Sequence, residues 1–220
     1  MKKLPVAFAL ILAASTISTH VTAFGLPKIP GLPVGGSGTA VDVDGFMTKA
    51  SETNKLFQDS ALTLALAVSD KDKVAELESL QTALAATADP KEKDALVKQI
   101  SEKSTAALNA ASEQQEAAAA RISTAKDEQR DKYIKAATNF ALGALQATEL
   151  APAGQSAIAS LQSNPLQATK LLGLKRTMSD VTGIVGNSTL ALTKVPGIFR
   201  AAKIPLTLPT SGKGTTSVAN

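Results

Sequence analysis

Between Pro90 and Gly143 the chain contains neither glycine nor proline. These are the two residues that most often end a helix, one through its left-handed freedom, the other through its missing N–H and its clash with the preceding turn. Without them a single helix can run for about 50 residues, roughly 75 Å at 1.5 Å per residue. The run opens on a strong start signal. Asp89 as N-cap leaves Pro90 at the first helical position, where its missing N–H costs nothing, and puts Glu92 at the third, within reach of the cap. We therefore expect one long helix from Pro90, bent or broken near Lys126–Arg130. Its contact stripe is small, consisting of Ile100, Ser104, Ala107, Ala111, Ala118 and Ala125. Alanine favours the helix and lets a neighbour approach closely, at the expense of apolar area buried per residue.

The flanking segments read as helices too. Asp44 is placed to cap a first helix that runs to about Val68, with Phe46, Ala50, Phe57, Ala61, Leu64 and Val68 on one face. Ser69 and Asp70 interrupt, and Val74, Leu77, Leu80 and Leu84 form a second stripe. After Gly143, Pro152 and Gly154 are expected to break the chain before a short helix near Gln155–Gln162. Asn164-Pro165-Leu166-Gln167 repeats the cap logic and opens a helix through Leu171, Leu172 and Leu174. Gly183, Gly186 and Pro196 punctuate Val181–Ile204 into one or two short helices with a kink. Period-two runs of β-branched residues are lacking elsewhere, so strand content should be close to nil. The fold class expected is all-α: an elongated antiparallel helical bundle with one long Ala-rich helix and disordered Pro/Gly-rich termini.

The ends differ from this middle. Residues 1–23 have the layout of a secretory signal peptide: Lys2 and Lys3, an apolar core from Val6 to Ala14, a polar stretch, then Val21-Thr22-Ala23. The apolar core is about half the roughly 20 residues that a membrane-crossing helix needs. Cleavage is expected between Ala23 and Phe24, which implies export to a bacterial periplasm, cell envelope or exterior. Residues 24–40 then form a flexible arm rich in proline and glycine, 41–204 a single helical domain, and 205–220 a disordered tail. Lys28-Ile29-Pro30 near one end recurs as Lys203-Ile204-Pro205 near the other. Such strips suit docking on a partner or, more simply, tails of linker composition.

The lone histidine, His20, leaves with the signal, and the chain has no cysteine, no tryptophan and one tyrosine, Tyr133. The expected mature chain thus lacks the near-neutral proton shuttle, cysteine nucleophiles and Ser-His-Asp triads. It also lacks the nitrogen and sulfur ligands of zinc, haem and di-iron sites. We expect no catalytic residues, no metal and no cofactor. Scarce aromatics leave little to stack on bases, so nucleic acid is not an expected partner.

Charge is distributed unevenly. Residues 41–135 carry 13 basic and 17 acidic side chains, whereas 136–204 carry six and two. Within 136–169 the only charge is Glu149. The low-charge half either supplies bundle core and protein contact or, with Lys170, Lys175, Arg176, Lys194, Arg200 and Lys203, faces an anionic membrane surface. The first alternative carries more weight, because the segment is only weakly amphipathic.

Local motifs resolve mostly into structure. Ser123 and Lys126 have the Ser-x-x-Lys spacing, but the partner motifs that give it catalytic meaning are missing. Asp42-Val43-Asp44-Gly45 resembles part of a calcium loop, yet that register puts Ala40 and Ser51 where carboxylates are required. Helix capping accounts for it better. Ser211 to Thr216 looks suited to phosphate but has no preceding strand or leading glycine. Asn187-Ser188-Thr189 fits a glycosylation acceptor, relevant only in a eukaryote. The function this supports is a non-catalytic exported helical protein acting through protein–protein contacts or self-association in the cell envelope. A lipid-binding protein that uses the low-charge basic half is the alternative.

Overall fold

In the computed structural model the described residues are 42–162 and 168–213. Among them the chain is helical, with no strand: α1 Val43–Val68, α2 Lys71–Ala86, α3 Pro90–Glu113, α4 Gln115–Ser123, α5 Asp127–Gln162, α6 Ala168–Gly186 and α7 Val195–Ala201. A π-helical turn, Leu190–Lys194, leads into α7. The signal segment, the cleavage pair Ala23 and Phe24, the N-terminal arm and the Asn164-Pro165 cap all lie outside the described residues.

The bundle is antiparallel, as its cross-helix pairs show. Along α1 and α5, Phe57 meets Gly143, Thr53 Oγ1 donates to Gln146 Oε1 at 3.4 Å, and Phe46 meets Gly154. Indices rise on one helix as they fall on the other. Similarly, α2 and α3 form a hairpin tied by Glu76 and Lys103 at 2.5 Å. The expected α1 stripe is buried at every position, because the four- and three-residue steps put it on the face turned to α5 and α3. The α3 stripe is buried from Ile100 through Ala111, and Ala118 continues it in α4.

Several expectations need correction. The cap of α1 is Asp42, whose carboxylate accepts from Gly45 N at 2.9 Å; Asp44 lies in the first turn and pairs with Lys170 at 2.9 Å. The run from Pro90 is three helices, interrupted at Gln114 (φ −109°, ψ 49°) and again at Thr124–Lys126, the second break falling where the sequence suggested. Helix propensity is worth only tenths of a kcal/mol per residue, while burying one isoleucine contributes about 1.5–3 kcal/mol. Turning α4 buries Ile122 and lets Arg121 Nη1 donate to Val68 O at 2.8 Å, where α1 ends. The long Ala-rich helix is instead α5, 36 residues. It runs through Pro152 without breaking. Pro152 and Thr148, whose carbonyl loses its partner, are both exposed, so water can satisfy that carbonyl.

The C-terminal tail expected from 205 is corrected as far as residue 213. Helix α7 closes with a Schellman motif: Ile204 N donates to Phe199 O and Lys203 N to Arg200 O, both at 3.0 Å. Lys203 holds the left-handed position (φ 59°) that usually belongs to glycine, at a cost of about 1 kcal/mol. Beyond it, residues 204–213 form a strap along α5. Ile204 is buried, Leu206 packs on the core, and Thr138 Oγ1 donates to Thr207 O at 3.5 Å. The strap ends with Ser211 Oγ and Gly212 N donating to Glu149 Oε1, at 3.1 and 3.0 Å.

Candidate functional site

The helix packed least completely is α2. Of its stripe only Leu77 is fully buried; Val74, Leu80 and Leu84 are half-buried. Its last two turns stand away from α1 and α3 and leave a cleft of about 340 Å³. From α1 come Gln58, Asp59 and Leu62; from α2, Gln81, Leu84 and Ala85; from α3, Val97, Ile100 and Ser101. The sequence accounts for the gap, because Ala85, which faces the opening, is too short to fill it.

The cleft is apolar with a polar rim. Val97 is 38% exposed, one of two large apolar side chains so exposed among the described residues. Asp59 is the only ionisable side chain in the lining. Although the residue is exposed, partial desolvation beside the cleft pushes its carboxyl above the ordinary aspartate range, and Lys55, one turn earlier in α1, offsets part of that rise. The size lies at the lower end for small-molecule pockets, enough for two or three apolar side chains.

A second depression lies where α1 gives way to α2, lined by Val68, Asp70, Gln114 and Arg121 among others, with about 20 Å³ of space. That is room for a single water. Two of its polar groups are engaged in capping, Arg121 on Val68 O and Asp70 accepting from Lys73 N at 3.0 Å, while the buried Ser69 Oγ has no partner. The hydrogen bond from Lys73 N lowers the Asp70 carboxyl below its usual range. The site is structural.

The sequence candidates are dispersed. Helix α4 ends at Ser123, so Lys126 lies beyond it and the two do not share a helical turn. Ser123 Oγ donates to Ala119 O at 2.8 Å. Gly212 N, from the phosphate-like stretch, is given to the protein's own Glu149 carboxylate. Asn187 Nδ2 donates to Gly183 O at 2.9 Å beside the end of α6. Among the described residues, no cluster of three His, Cys, Asp or Glu side chains is placed to hold a metal ion. No described helix is long and apolar enough to cross a membrane.

Much of the low-charge half is core: Phe140, Ala141, Leu142, Ala144, Val181, Ile198 and Phe199 are all buried. Three of its six basic residues are engaged within the fold. Lys170 pairs with Asp44 and Arg176 with Asp94, each at 2.9 Å, and Lys194 reaches Asn109 Oδ1 at 3.2 Å. Sequence reasoning missed both the cleft and the strap. The one signal for the strap was Glu149, a lone carboxylate in a segment otherwise free of charge. No protein-family model, curated protein or solved structure was found to match the chain.

Proposed function

We propose that the protein is a non-catalytic helical interaction module of the cell envelope, and that it receives a partner protein in the cleft between α1, α2 and α3. The observation that carries this reading is the cleft itself: Leu62, Leu84 and Val97 present apolar surface at the outside of the bundle, over the buried Ile100 and under a rim of Gln58, Gln81 and Ser101. An apolar centre with a polar rim is the anatomy of a protein-binding patch. The expected export and the absence of histidine and cysteine after the signal agree with a binding role.

Photo-crosslinking in the native envelope tests it, with the probe at Val97 or at Leu84. Both positions should yield the same adduct, and Ala85→Arg, which obstructs the mouth without touching the core, should remove it. No adduct from either position, or the same adduct from a probe at Leu172 on α6, would refute the reading.

Leu172, 72% exposed between Lys170 and Lys175, supports the lipid alternative. Among the described residues of α6 it is the one large apolar side chain so exposed, and a single leucine contributes little to membrane affinity. Flotation with anionic vesicles at low salt, abolished by Leu172→Lys and by high salt, would bring that reading forward.

A further inference from the structure

The C-terminal strap binds its own bundle as a ligand binds a groove. Thr138, Leu142, Gln146 and Glu149 share one face of α5, spaced by four, four and three residues. The strap meets the first at Thr207 and the last at Ser211 and Gly212, and Gly212 passes over the backbone of Gln146. Leu142 lies between them on this face and is 1% exposed. The spans agree. Thr207 to Gly212 is about 16 Å of extended chain, and Thr138 to Glu149 is about 16 Å of helix. Strap and helix run in the same direction.

Two features make this segment separable. It hangs from one hinge, Lys203, held at φ 59° where a side chain is strained, and Pro205 just beyond keeps Ile204 extended. Its recognition contacts are concentrated at the far end, on Glu149. A methyl placed on Gly212 would lie 2.7 Å from Gln146 N, so the groove selects this tip sterically as well.

We propose that the protein self-associates by strap exchange: residues 204–213 of one copy leave their own α5 and occupy the Thr138–Glu149 face of a second copy, which returns its own strap. The exchange is reciprocal and closes a two-fold dimer. The contacts that the strap makes with α5 are broken within a chain and remade between chains, so the difference in free energy lies in the hinge and in concentration. Straightening Lys203 releases its left-handed strain but gives up the Lys203 N–Arg200 O and Ile204 N–Phe199 O bonds, which adds to the preference for the closed monomer. Tethering also opposes exchange, because a short linker presents the strap to its own helix at an effective concentration in the millimolar range. The monomer therefore dominates at micromolar concentration, and the exchanged dimer forms at millimolar concentration or on refolding there.

The hinge is the place to test this. Lys203→Gly accepts the left-handed conformation and should lower the dimer fraction about tenfold. Lys203→Pro cannot adopt it and loses the N–H given to Arg200 O, so it should make the dimer the main species in light scattering. The chain has no cysteine, which allows a direct test of geometry. Full chains carrying Thr138→Cys are mixed with full chains carrying Thr207→Cys, refolded at millimolar concentration and treated with a short bismaleimide. A covalent dimer linking position 138 to position 207 is expected. A Lys203→Pro chain that is monomeric with native helicity overturns the proposal, and so does a dimer without the 138–207 link. Should Lys203→Pro fail to fold, the mixed-cysteine experiment decides alone, since its hinge is unaltered.

Discussion

The rings of Phe57 and Phe140 lie 4.3 Å apart, centroid to centroid, with their planes inclined by 32°. The pair sits where α1 packs on α5, one turn from Gly143, whose missing side chain admits the Phe57 backbone. Both rings are buried. Replacing either by alanine should destabilise the fold by about 3–5 kcal/mol. A double-mutant cycle in urea should recover about 0.5–1.5 kcal/mol of coupling between them. Additive single effects would show that the rings contribute only by area.

Gly143 should tolerate little. A methyl there would lie 3.1 Å from Phe57 Cβ and 3.3 Å from its Cα, tighter than ordinary contact. Gly143→Ala raises helix propensity by about 1 kcal/mol but pushes α1 outward. Gly143→Val exceeds any such gain, and its urea midpoint should fall by the equivalent of about 1–3 kcal/mol.

Ser104 is fully buried in the α3 stripe, and its hydroxyl has no hydrogen-bond partner. Ser104→Ala removes an unsatisfied polar atom without changing the close packing. Stability should rise by about 1 kcal/mol, read as a higher denaturation midpoint with unchanged slope. A loss of stability would mean that the hydroxyl is engaged in the folded protein.

Asp59 provides the pH test. Partial desolvation raises its folded pKa above the unfolded value even though the residue is exposed, so its favourable contribution, a small one, is complete below the unfolded pKa and is lost as pH rises through the folded one. At neutral pH the ionised carboxylate opposes folding. Asp59→Asn should therefore stabilise the protein at pH 7, and the gain should disappear below the ordinary aspartate value of 3.8, where both states are protonated. Thermal melts of both proteins across that range measure it.

Asp89 accepts from Lys91 N at 2.7 Å and Glu92 N at 3.4 Å. The Glu92 carboxylate, expected to reach back to the cap residue, accepts from Thr87 Oγ1 at 2.5 Å instead. Asp89→Ala should cost about 0.5–2 kcal/mol, whereas Glu92→Ala should cost less than about 1 kcal/mol. Equal losses would indicate that the two carboxylates cap together.

What was legible in the sequence is what depends on neighbours along the chain. Helix class follows from period and alanine content; the α1 face from the spacing of Phe46 through Val68; the start of α3 from Asp89 and Pro90. These are decided within one or two turns, where sequence separation and spatial separation coincide. What the tertiary structure decided depends on residues far apart. Gln114 interrupts a run of good helix formers because α4 gains more by turning onto Val68 and α7 than it loses in propensity. Pro152 stays within a helix because its side of α5 faces water. Residues 204–213 are held as a strap because Glu149, more than 60 residues earlier in the chain, presents a carboxylate to Ser211 and Gly212. Local propensities amount to tenths of a kcal/mol per residue, and one buried side chain or charge-assisted hydrogen bond outweighs several of them.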